Sequence, residues 1–108
     1  MSPNLFVYKI QLTRPEILSD GPTPEEEEIM AQHADHLQQL TEQGVALLAG
    51  RTLNTDPTCF GIVLFQAASP EQAMEIMQSD PGVRHGLWRA ELYPFRVAFL
   101  NAAFNQFL

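Results

Sequence analysis

Residues 23–50 read TPEEEEIMAQHADHLQQLTEQGVALLAG, and a helix followed by a strand can be read from them residue by residue. Thr23 is a side-chain cap, Pro24 takes the first helical position and Glu26 completes a capping box, so a helix is predicted to begin at Pro24. Ile29, Met30, His33, Leu37 and Leu40 then fall on one face at helical spacing. Gly44 is a natural stop just after Gln43. Val45–Ala49 follows as a short apolar run, and a buried strand is expected there.

Working outward, Leu5–Leu12 (LFVYKIQL) has the length and composition of a strand, with Phe6, Tyr8, Ile10 and Leu12 on one face and Lys9 and Gln11 on the other. Thr13–Pro24, with Pro15, Gly21, Pro22 and Pro24, reads as a loop. Beyond the central stretch, Gly50–Thr58 is a polar turn region and Phe60–Gln66 a further strand. Ser69-Pro70-Glu71-Gln72 repeats the cap-and-proline start, predicting a second helix to about Gln78 that Asp80-Pro81-Gly82 terminates. Trp88–Phe95 is a fourth strand whose Pro94 marks an edge or a strand end. The order β-α-β-β-α-β is that of an α+β, ferredoxin-like fold, an antiparallel sheet with both helices on one face. Two helices cover one face only, so a second copy of the chain is expected to cover the other, as a homodimer. Residues 1–96 make up this domain. The tail Val97–Leu108 carries no charge, places Val97, Leu100, Phe104, Phe107 and Leu108 at helical spacing, and is expected to pack on the domain or on the dimer partner.

Thirteen acids stand against six bases, but residues 16–42 hold eight of the acids and no base, and the remainder is close to neutral. The run Glu25–Glu28 lies at the positive end of the helix dipole, which accounts for it. Without clustered Lys and Arg, neither nucleic acid nor an anionic membrane is expected as a partner. An apolar content of 45% excludes a disordered chain. The one cysteine, Cys59, excludes an internal disulfide framework and suits a reducing compartment. With no secretory signal and no apolar run of about 18 residues, a cytoplasmic location is expected.

His33 lies within the apolar stripe of the first helix and therefore points at the sheet, where its polar atoms need a partner. It is either a satisfied core histidine or a functional one. His36 sits at the border of the stripe. Asp80 is either a plain helix-ending residue or a group close to His33, and spacing does not decide between them. Glu-rich residues near His33 and His36 lack the matching motifs of a metal site, there is no Gly-rich phosphate loop, and no Gly-x-Ser-x-Gly elbow. No metal or cofactor is expected, and Cys59 is assigned to packing.

Taken in order, the chain carries Leu5–Leu12, Arg14-Pro15, Thr23-Pro24-Glu25-Glu26, His33-x-x-x-Leu37-x-x-Leu40, Gly44, Ala49-Gly50, Gly61, Ser69-x-Glu71-x-Ala73, Asp80-Pro81, Gly86 and Pro94-Phe95. In order and spacing these resemble the YCII-related (YciI-like) family of the dimeric α/β-barrel superfamily. The resemblance implies a ferredoxin-like subunit that pairs sheet to sheet, and a polar cleft in which His33 and Asp80 are the catalytic residues. His33, 17 residues before Gly50, takes the family position; His36 does not. The chain departs from the family after Gly50, where Pro is common and this chain has Arg51.

A His held by a carboxylate can move a proton near neutral pH. The expected function is cofactor-free proton transfer, of lyase or isomerase type, on a small anionic or phenolic molecule, with Arg51, His36 and Tyr8 on the substrate. Two other readings stand beside it: a non-catalytic ligand-binding or regulatory module with a structural His33–Asp80 pair, and an oligomerising scaffold that docks through the tail.

Overall fold

Strand alternation builds the core of the chain, whose computed structural model describes residues 4–108. On β1 (Leu5–Leu12), Phe6, Tyr8 and Ile10 are buried, and the residues between them are only half covered. The other elements follow as α1 (Ile17–Asp20), α2 (Pro24–Glu42), β2 (Ala46–Arg51), β3 (Gly61–Gln66), α3 (Pro70–Ser79), α4 (Pro81–Arg84) and β4 (Trp88–Phe95), with a 3-10 turn at Phe104–Phe107. The sheet order is β2-β3-β1-β4, every pair antiparallel. This is the α+β, ferredoxin-like arrangement expected from the sequence.

The helix starts form by the expected local chemistry. The Thr23 hydroxyl accepts the Glu26 N–H at 3.2 Å, and Glu26 Oε1 accepts the Thr23 N–H at 2.8 Å. The Ser69 hydroxyl accepts the Gln72 N–H at 3.1 Å. Gly44 closes α2 in the left-handed region at φ 75°, where a side chain would be strained. The core joins Tyr8, Val63 and Phe65 at its centre with Phe6, Ala73 and Met77. Removing each such large side chain from water is worth roughly 1.5–3 kcal/mol. Tyr8 meets Phe65 edge-on, ring centroids 5.7 Å apart.

Four features depart from the expectations, one of them the short helix α4 at Pro81–Arg84, where only a helix-ending turn was expected. Ile17–Asp20 forms a short helix inside what reads as loop. β2 runs to Arg51 rather than ending at Ala49. The tail, despite its helical spacing, makes only the one 3-10 turn, and Phe99, Leu100, Phe107 and Leu108 stay largely exposed. A short helix is stable mainly through a packed apolar face, and the single chain offers the tail little to pack on. No helix among the described residues is long and apolar enough to cross a membrane.

Candidate functional site

No residue of α2 is fully buried, although its stripe faces the sheet. The reason is a cavity of about 600 Å³ between that stripe and the sheet. Met30, His33 and Leu37 line it from α2, Ile10 and Val63 from the sheet floor, and Trp88 from the start of β4. Ile17 and Leu18 of α1 form a further wall. The segment carrying them is fastened by Arg14, whose Nε donates to Glu26 Oε2 at 3.0 Å and whose Nη2 donates to Glu26 Oε1. The Arg14 guanidinium, with the Thr23 backbone N–H, holds the Glu26 carboxyl down at about 2.

Behind His33, outside the cavity lining, stands a buried carboxylate. Asp80 follows α3 in extended conformation and caps α4, its Oδ1 accepting the Gly82 N–H at 2.9 Å. Its Oδ2 accepts the Tyr8 hydroxyl at 2.7 Å. His33 Nδ1 lies 2.8 Å from Oδ1 and 2.9 Å from Oδ2, bridging the carboxylate. Both Asp80 and Tyr8 are fully buried. Burial alone would raise the Asp80 carboxyl; the hydrogen bonds from His33, Tyr8 and Gly82 outweigh it and hold it below the usual carboxylate range. Burial, and then the Asp80 charge, push the Tyr8 phenol far above its ordinary value, so Tyr8 stays protonated and donates.

An ionised Asp80 fixes the His33 tautomer. In the neutral ring Nδ1 carries its hydrogen toward the carboxylate, which leaves the Nε2 lone pair free. Among the described residues no group bonds Nε2, and no buried side-chain nitrogen or oxygen is left without a partner. Nε2 is therefore accessible, on a ring that lines the cavity. The Trp88 ring lies against the imidazole, centroids 4.5 Å apart. Such an arrangement can accept a proton from a bound molecule while Asp80 stabilises the resulting imidazolium.

Arg51 enters the same cavity through an irregularity in β2. The register with β3 shifts between Ala46, opposite Phe65, and Leu48, opposite Leu64. This bulge inverts the alternation, so that Ala49 and Arg51 pair with Val63 and Gly61 on the helix side of the sheet. Unbulged alternation from Ala46 would have placed Arg51 on the opposite face. Among the described residues Arg51 has no ion-pair partner, and Asp56 turns instead to Thr58 and Asn54.

His33 and Asp80 thus meet, and Arg51 shares the cavity that His33 lines. Tyr8 and His36, expected on the substrate, do not line it. Tyr8 sits behind Asp80, two residues along β1 from the cavity-lining Ile10 on the same strand face. His36 Nε2 lies 3.4 Å from Ser79 Oγ, and burial lowers its imidazole below the ordinary histidine value. Sequence reasoning passed over Trp88 and Gly82. A Cβ on Gly82 would fall within the edge of the Trp88 ring, so glycine is needed for that approach. The only advance sign was a glycine placed after the cap and proline of a turn. No group of three or more metal-binding side chains occurs among the described residues.

Solved structures show the same fold. A 5-chloro-2-hydroxyhydroquinone dehydrochlorinase from Burkholderia phenoliruptrix, seen with 2,5-dihydroxybenzoquinone, is 20% identical, with a TM-score of 0.63 over 85% of this chain and 93% of that one. An uncharacterised Thermotoga maritima protein is 10% identical, with a TM-score of 0.55 over 88% of this chain and 100% of that one. A cofactor-independent oxygenase from Streptomyces nogalater is 12% identical, with a TM-score of 0.50 over 94% and 99%. No curated protein matches the sequence. The sequence profile of the YCII-related domain matches residues 7–96, and with the sheet order and helix placement described above this chain belongs to that family.

Proposed function

We propose that the chain is a cofactor-free enzyme of lyase or isomerase type, in which His33 moves a proton on a small anionic or phenolic molecule. The observation that carries this reading is the His33–Asp80 contact of 2.8 Å, with Asp80 fully buried and Nε2 left to the cavity. Nε2 takes a proton from an acidic C–H or O–H of the substrate, and the freed electron pair forms a π bond. In a lyase step a leaving group departs with its bonding pair; in an isomerase step the imidazolium returns the proton at another carbon. Asp80 holds the tautomer and offsets the charge on His33, Tyr8 positions Asp80, and Arg51 faces the substrate. The Burkholderia neighbour, a dehydrochlorinase, supports the reading, since loss of HCl from a ring is a reaction of this type.

The test is turnover without added cofactor, scored as chloride release from chlorinated hydroquinones or double-bond migration in unsaturated ring carboxylic acids. His33→Ala should lower kcat by about 10²–10⁴-fold, the usual contribution of a positioned acid–base group. Unchanged turnover in His33→Ala would sink the proposal and leave the pair structural, as in a ligand-binding or regulatory module; the way Asp80 caps α4 favours that second reading.

The enzyme acts as a homodimer in the cytoplasm in this proposal. The sheet face away from the helices carries Val7, Leu64 and Tyr93, none of them fully covered in one chain. A second copy would cover them, and the tail 97–108 would pack at the same interface.

A further inference from the structure

The charge inventory of the cavity is short. Among the described residues lining it, His33 and Arg51 are the only ones that can carry a positive charge, and none is an Asp, a Glu or a Lys. The walls between them are apolar, with Ile10, Leu37 and Val63 facing a tryptophan ring at Trp88. The Asp80 carboxylate stands behind His33 and is fully engaged by three donors. Arg51 is brought here only because β2 bulges between Ala46 and Leu48.

We infer that the cavity selects a planar, ring-shaped monoanion that carries no ammonium group, and that Arg51, placed by the β2 bulge, sets this selection. The inference rests on the proton-transfer reading of the same site. One guanidinium matches one carboxylate or phenolate, and its planar fork suits a bidentate partner. A second anionic group would meet apolar walls or His33, whose charge Asp80 already offsets. An ammonium group would find no carboxylate in the lining and would lie beside Arg51, which repels it. Amino acids and arylalkylamines, which carry an ammonium group at neutral pH, are therefore excluded by charge, whatever their shape. The ring follows from the apolar walls, Trp88 among them, against which an aromatic body buries its surface.

Trp88 is the sole tryptophan, so its emission reports occupancy of the cavity without a known substrate. The intact protein is titrated with benzoate, benzamide, benzylamine, phthalate and phenylalanine. Benzoate should bind at least about ten-fold tighter than each of the others, the scale of one charge-assisted hydrogen bond. In Arg51→Gln, benzoate should fall to the level of benzamide, while His33→Ala keeps the preference. Equal binding of benzoate and benzamide, a preference that survives Arg51→Gln, or no saturable binding of benzoate would overturn the inference. None of these results touches the proton-transfer reading, which fails only if His33→Ala turns over substrate normally.

Discussion

The Tyr8 hydroxyl donates to Asp80 Oδ2 at 2.7 Å across 72 residues of chain, and neither side chain has any exposed surface. The contact ties the central strand of the sheet to the junction of α3 and α4. It leaves Oδ1 to the Gly82 N–H and aims the carboxylate at His33. The residue that holds the proposed general base in place is therefore itself held by a strand side chain that never meets the cavity.

Tyr8→Phe keeps the ring and removes only the donor. A buried carboxylate then loses one of three hydrogen bonds, and bonds to charged groups are worth about 1.5–3 kcal/mol. Urea unfolding at neutral pH should show a loss of that order with an unchanged m-value. If Tyr8 positions Asp80 for the reaction, kcat should fall while KM is kept, and a purely structural role would leave kcat alone. Full stability in Tyr8→Phe would contradict the bond.

Asp80 predicts a stability that depends on acid. Its folded carboxyl titrates below the usual carboxylate range, so protonation is harder in the folded chain than in the unfolded one. Its contribution is complete above the unfolded value of about 3.9 and is lost as pH falls through the lower folded value. The urea midpoint should drop on acidification below about pH 4. Asp80→Asn should start lower at pH 7 and show a shallower acid slope, the residue of that slope coming in part from Glu26, which also titrates low. Parallel pH profiles for the two proteins would count against an ionised, hydrogen-bonded Asp80.

How much of this was legible follows from the range over which each feature is determined. The caps at Thr23 and Ser69 and the stripe through His33 and Leu37 are set within a few residues, and they form as expected. The His33–Asp80 distance is set by how α2 packs beside α4, and no spacing encodes it. The β2 bulge exists only in register with β3, so periodicity within β2 could not reveal that Arg51 would join His33. α1 is four residues long, too short for a periodic signal. Tyr8 shares its strand face with Phe6, Ile10 and Leu12, and of these Ile10 and Leu12 line the cavity, so alternation alone did not reveal that Tyr8 would sit behind Asp80.

The approach of Gly82 to Trp88 gives a sharper test of the cavity wall. Any side chain at position 82 must push the indole, which leans on the His33 ring. Gly82→Ala should cost about 1–3 kcal/mol, the usual range for an overpacked site. It should also change the Trp88 emission maximum in the folded protein. Native stability together with native emission would mean that the two are not in contact.

The tail offers the last prediction. β4 is an edge strand, and its Phe95 and Tyr93 pair across to Leu5 and Val7, extending one apolar strip over the open sheet face. Twelve uncharged residues follow immediately after Arg96, and Phe99 and Leu108 are 97% and 85% exposed in the single chain. The buried core contains no residue from this tail, so its removal should leave a cooperative unfolding transition. In the proposed dimer the same residues lie against the partner. Deleting residues 97–108 should therefore shift the light-scattering mass from two chains toward one at micromolar concentration, with little change in the far-ultraviolet circular dichroism of the domain. An unchanged dimer mass after the deletion would mean that the open sheet face associates without the tail, and would leave the tail no part in assembly.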